Sequence, residues 1–151
     1  MTISVELETR IARAPAEVFA ELVAIERFPE WLIASGIVGV ERLDAGPPAT
    51  GARVRISQRV AGRSTVLDGS MTRLDPGHAL GLHGRDPDGV TIDIEATVVP
   101  DDAGSRLRWS LRLGLPLRFR MFESMVAPQA KRAATLDLEA FRRRLETTTP
   151  D

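Results

Sequence analysis

Cysteine is missing from all 151 residues, which excludes disulfides, thiolate nucleophiles and cysteine-ligated metals. Tyrosine is missing too, so no catalytic scheme that relies on a phenol applies. Lysine occurs once, as Lys131, among 20 basic residues; the other nineteen are arginines, a bias that fits the codon usage of a high-GC bacterial genome. Neither charge sign is in excess: the formal net charge is −1 and the pI about 6.2, with acids and bases interspersed. That balance provides no footprint for nucleic acid or an anionic membrane. The triplet Arg142, Arg143 and Arg144 reads as a solvated helix end that complements the helix dipole. No long apolar run exists. The longest uncharged stretch, 31–40, is about half what a membrane span requires and contains two glycines. The N-terminus alternates from its first residues, without a basic region followed by an apolar block, so it does not read as a signal peptide, and the expected address is the cytoplasm. Neither G-x-G-x-x-G, a phosphate-binding loop nor G-x-S-x-G occurs, and Asp86-x-Asp88-Gly89 matches only a fragment of a calcium loop while serving well as a hairpin turn. No cofactor and no metal are expected.

What is present is ordinary soluble-globular chemistry, 43% hydrophobic and 27% charged, at a length that suits one domain, 1–147, with a loose tail at 148–151. Residues 116–146 form the one run long enough to cross it as a helix. Wound at about 100° per residue, positions 129–146 place Ala130, Ala133, Ala134, Leu136, Leu138, Ala140, Phe141 and Leu145 in one arc, with Lys131, Arg132, Glu139, Arg142 and Arg143 opposite. Pro128 cannot donate a backbone hydrogen bond, which predicts a kink or a fresh helix start there. The segment before it is rich in bulky flexible groups, Phe119, Met121, Phe122 and Met125.

Upstream the period is that of strands. Ile3, Val5, Leu7 and Ile11 alternate with polar residues over 2–11. Ala14-Pro15 then starts a short helix with Phe19, Leu22 and Val23 as its buried stripe, and a second helical turn at 25–32 carries Phe28, Pro29 and Trp31. Six further strands are predicted at 37–43, 52–60, 64–74, 79–83, 90–99 and 106–115, separated by Gly, Pro and Asp turn signals, among them positions 61–63. Short turns between neighbours imply an antiparallel meander. Its apolar face carries Val54, Ile56, Ile92, Ile94, Trp109 and Leu111, and the last helix is the element able to cover it.

This order, together with VELETRIARAPAEVFAELVAIERFPEWL, LDPGHALGL and ATLDLEAFRRRLE, resembles the polyketide cyclase/dehydrase branch of the START and Bet v 1-like helix-grip (SRPBCC) superfamily, over the whole chain. The resemblance implies an α+β fold in which a seven-stranded antiparallel curved sheet grips the C-terminal helix, with two short helices between strands 1 and 2 and an apolar cavity between sheet and helix. Members carry lipids, sterols, quinones or hormones, or act as aromatases and cyclases, so the fold narrows shape more than function.

The cavity is expected beside Pro128, walled by Val54, Ile56, Met71, Ile92, Ile94, Trp109 and Leu111 and roofed by Met121, Met125 and Gln129, with the small alanines closing the other end. Gln58 lies on the apolar face, where its amide holds either a ligand or a strand-edge carbonyl. Asp137 lies mid-arc and reads as half of an internal ion pair, with Arg144 or a sheet arginine; the other reading is a catalytic carboxylate. Parity turns His78 inward, as a weak candidate base, and His83 outward, so the two cannot chelate one metal. Three functions follow: binding or carriage of a hydrophobic small molecule (lipid, quinone, polyketide or other ring compound); an aromatase/cyclase or dehydratase-like enzyme using His78, Gln58 or Asp137 in the same cavity; and a protein-interaction module with a filled interior and an apolar patch near Phe119 and Phe122. A monomer or homodimer, without integral membrane association, is expected.

Overall fold

In a computed structural model, residues 2–147 other than Ala61 are described. The chain runs β1 (Thr2–Ile11), α1 (Pro15–Val23), a 3-10 turn (Ile25–Glu30), β2 (Ile37–Arg42), β3 (Arg53–Val60), β4 (Arg63–Asp75), β5 (Ala79–Arg85), β6 (Thr91–Asp101), β7 (Gly104–Gly114), a second 3-10 turn (Leu117–Phe122) and α2 (Glu123–Thr147). The strands form one antiparallel sheet in the order β1-β7-β6-β5-β4-β3-β2. Six of the seven follow one another as a meander, and β1 joins at the far edge by pairing with β7, Ile3 opposite Leu113 and Leu7 opposite Trp109. This is the predicted seven-stranded sheet with a long C-terminal helix, and its strand ends fall within a few residues of those read from alternation.

Each element has a local cause. Alternation in β1 buries Ile3, Val5 and Ile11 and leaves Ser4 and Glu6 exposed. Pro15 opens α1, where its fixed φ is already helical, and Val18, Phe19 and Leu22 make the buried stripe. The next turn drives Phe28 and Trp31 into the core. There Trp31 meets Phe28, Trp109 and Phe141 with ring centroids 5.3, 5.5 and 4.6 Å away, edge-on or tilted as aromatic quadrupoles prefer. The hairpin between β3 and β4 is tighter than the sequence suggests: Arg63 already pairs with Val60.

Two expectations for the last helix are corrected. The fresh start comes at Glu123 and not at Pro128, which sits inside one continuous α2. Pro128 and Ser124 are both exposed, so the Ser124 carbonyl that proline leaves unpaired faces water, where the loss costs little. The buried face is also narrower than the arc predicted. Ala134, Asp137, Leu138, Phe141 and Leu145 are buried, whereas Leu136 is 57% exposed. Among the described residues no helix is long and apolar enough to cross a membrane. Residues 148–151, expected as a tail, lie outside the described residues.

Candidate functional site

The C-terminal half of α2 packs directly on the core through Leu138, Phe141 and Leu145. Its N-terminal half does not fill the space beneath it. Ala130 and Ala133 present only methyl groups, and between them and the sheet lies a cavity of about 300 Å³. That volume is at the small end of ligand sites. Ile92 and Ile94 of β6 and Trp109, Leu111 and Leu113 of β7 form its floor, continued by Leu115. Val126, Gln129, Ala130 and Ala133 form the helix wall, and Leu32, Ala34, Ser35, Ile37, Gln58, Val60 and Val90 close the remaining side. Three other depressions involve the outer sheet face or its edge, and charged groups from Glu8 and Arg108 to Arg118 and Asp88 line them, several paired with one another.

Strand parity explains the wall. In β3 the side chains of Val54, Ile56, Gln58 and Val60 share one face. The first two are buried in the core away from the cavity, and the last two reach its edge. In β7 the same alternation carries Trp109, Leu111 and Leu113 across the floor.

The segment between the first 3-10 turn and β2 is clamped from both sides. On the helix side Asp137 accepts the N–H of Ala34 at 2.8 Å and of Ser35 at 2.9 Å, one on each carboxylate oxygen. On the sheet side Gln58 Nε2 donates to the Ser35 carbonyl at 3.0 Å, and the Arg59 N–H donates to the Gly36 carbonyl at 2.8 Å. Backbone groups that would line a cavity without partners are thus satisfied. Gly36 has φ +75°, and a Cβ there would sit 2.2 Å from the Arg59 carbonyl oxygen, so the close approach of this segment to β3 requires glycine.

Asp137 is therefore not an ion pair, a correction to the sequence reading; among the described residues it has no charged partner. Arg144 instead holds Glu21 at 2.9 Å and Glu30 at 3.1 Å, tying the end of α2 to α1 and the first 3-10 turn. Asp137 is 2% exposed. Burial pushes its carboxyl above the usual carboxylate range, while hydrogen bonds from the Ser35 side chain and the Ala34 and Ser35 backbone pull the other way.

Of the residues predicted for the site, Gln58, Ile92, Ile94, Trp109, Leu111 and Gln129 come together around the cavity. Val54, Ile56 and Met71 are fully buried but do not line it. Met121 and Met125 are 77% and 61% exposed and form no roof; Val126 takes that place. His78 is not turned inward. It is exposed in the β4–β5 turn, with Nδ1 3.0 Å from the Val98 carbonyl oxygen. His83 does face outward, 2.7 Å from Asp93. Among the described residues no cluster of three His, Asp or Glu side chains is arranged to hold a metal. Sequence reasoning missed Leu32, Ala34, Ser35, Ile37, Val60, Val90, Leu113, Leu115 and Val126, and Ala130 and Ala133, expected to close the other end against the sheet, instead line the cavity. The signal for Leu113 and Leu115 was the alternation of β7 carried two steps further, and for Ser35 the uncharged stretch around it.

No curated protein matches the chain. Solved structures do. An aromatase/cyclase from Streptomyces, Zhui, is 18% identical with a TM-score of 0.77, over 97% of this chain and 94% of that one. A START superfamily protein from Mycobacterium smegmatis is 17% identical with a TM-score of 0.75, over 97% and 99%. At such identities the likeness is one of fold. The family described as polyketide cyclase / dehydrase and lipid transport matches residues 2–146. With its sheet curved beneath a C-terminal helix and a ligand-sized hollow between them, the chain belongs to that family.

Proposed function

We propose that the protein binds and carries an apolar small molecule in the cavity under the N-terminal half of α2. The observation that carries this reading is the composition of the wall. Of the lining side chains only Ser35, Gln58, Gln129 and Trp109, through its indole N–H, carry a polar group, and none is titratable. Such a surface favours transfer of apolar groups out of water and supplies no proton donor or acceptor of adjustable pKa. The groups that acid–base turnover would use point elsewhere: His78 is on the outside and Asp137 is committed to two backbone N–H groups. An open cavity likewise supports carriage over an interaction module with a filled interior.

The test is thermal unfolding with a panel of apolar probes: long-chain fatty acids, quinones and fused-ring aromatics. A ligand held only by the folded state at about 100 times its Kd adds about 2.7 kcal/mol, a rise of several degrees in Tm for a chain of this size. Ala133→Phe should occupy the cavity from within and remove the ligand-induced rise while the variant stays folded. Absence of any rise across the panel overturns the reading.

A further inference from the structure

Resting on the carrier reading above, we infer that the cavity selects an uncharged ligand that donates a hydrogen bond, a two-ring alcohol or phenol, and that Gln58 Oε1 is its acceptor. The orientation of the Gln58 amide is fixed by chemistry. The Ser35 carbonyl can only accept, so the atom 3.0 Å from it must be the nitrogen. Ser35 is in turn immobilised by Asp137 on its other side. The amide oxygen is left on the opposite branch of a side chain that lines the cavity, and it accepts no hydrogen bond from the described residues.

The other two wall side chains that carry an oxygen are differently placed. Ser35 is held to Asp137 through its backbone N–H, and Gln129 is exposed at the mouth. Gln58 Oε1 is thus the half-buried amide acceptor on the wall that no described residue uses. An ether or ketone oxygen set against it would bring two lone pairs together and leave Oε1 desolvated without a partner, whereas a hydroxyl satisfies it. A carboxylate would find no cation on the wall. Size follows from comparison: a cavity of roughly 150 Å³ accepts benzene, so about 300 Å³ accommodates about two fused rings.

The experiment measures binding of 2-naphthol, naphthalene, 2-methoxynaphthalene and 2-naphthoate to the full chain, by calorimetry and by quenching of tryptophan fluorescence. Expected is 2-naphthol roughly threefold to tenfold tighter than the methyl ether, with 2-naphthoate weakest. Gln58→Leu should bring 2-naphthol down to the affinity that the same variant shows for naphthalene, whatever that variant's affinity for naphthalene is. Equal binding of 2-naphthol and 2-methoxynaphthalene by the unmodified protein overturns the assignment of Gln58 while leaving the carrier reading intact, and this comparison does not depend on the variant folding. Tighter binding of 2-naphthoate than of 2-naphthol overturns the uncharged ligand class. Binding of none of the four overturns this inference, and the carrier reading falls with it only if the fatty acids and quinones of the wider panel also give no rise.

Discussion

Replacing Asp137 by alanine tests the clamp that shapes one wall of the cavity. The substitution removes both acceptors of the Ala34 and Ser35 N–H groups, formed at 2.8 and 2.9 Å. A hydrogen bond to a charged group contributes about 1.5–3 kcal/mol net. Two of them lie at a half-open rim where water takes over part of the role, and relief of the carboxylate's own burial offsets a further part. The expected loss is about 2–3 kcal/mol. For a domain near 150 residues that is a fall of roughly 5–10 °C in Tm, or about 1 M in the urea midpoint at a typical slope. Urea unfolding followed by fluorescence reads it directly, because both tryptophans, Trp31 and Trp109, are buried against the same core. A change below about 0.5 kcal/mol would mean that the carboxylate does not hold these two donors, and the reasoning fails. A double-mutant cycle with Arg144→Ala separates this from an ion pair: the two effects should add to within about 0.5 kcal/mol, since Arg144 holds Glu21 and Glu30 instead.

The same residue sets a pH signature. With its folded pKa raised, Asp137 keeps its proton in the native state when the unfolded chain has lost it, so its contribution to stability falls as pH rises from the ordinary carboxylate range through the folded pKa. Relative to Asp137→Asn, the unmodified protein should therefore lose stability across that window in urea titrations at stepped pH; a flat difference contradicts the assignment. Gly36→Ala should cost about 2 kcal/mol or more, from φ +75° and the 2.2 Å approach to the Arg59 carbonyl, as measured by chemical denaturation. Leu111→Ala should cost about 2–4 kcal/mol and enlarge the cavity, so that bulkier ring probes gain in thermal-shift assays. His78→Ala should leave every ligand-induced shift unchanged, because the ring is exposed in the β4–β5 turn and does not line the cavity; a lost shift would restore it to the site.

The strands were legible because alternation is a local signal: β1, β6 and β7 each carry their buried faces in every second residue. The helix start was not. Proline was read as the point of rupture, yet whether an unpaired carbonyl is costly depends on solvent, and at Ser124 that is a tertiary fact. Parity also failed at His78, since it lies one residue before β5 begins, where alternation no longer governs direction. Asp137 shows the wider limit. A buried carboxylate can be satisfied by an arginine or by two backbone N–H groups, and the second choice leaves no trace in side-chain chemistry. The methionine roof failed for a related reason. The space exists because alanines are too small to fill it, and flexible side chains nearby were free to turn to solvent.

The pairing of β1 with β7 has a consequence for synthesis. Translation delivers β1 before β2 to β6 and its neighbour β7 only after them. Hairpins from β2 to β7 can zip as they leave the ribosome, each next to a partner made moments before. The leading strand cannot; its backbone edge waits without a partner until β7 has emerged. A nascent chain paused before β7 therefore displays an orphan strand edge, the kind of surface that chaperones bind.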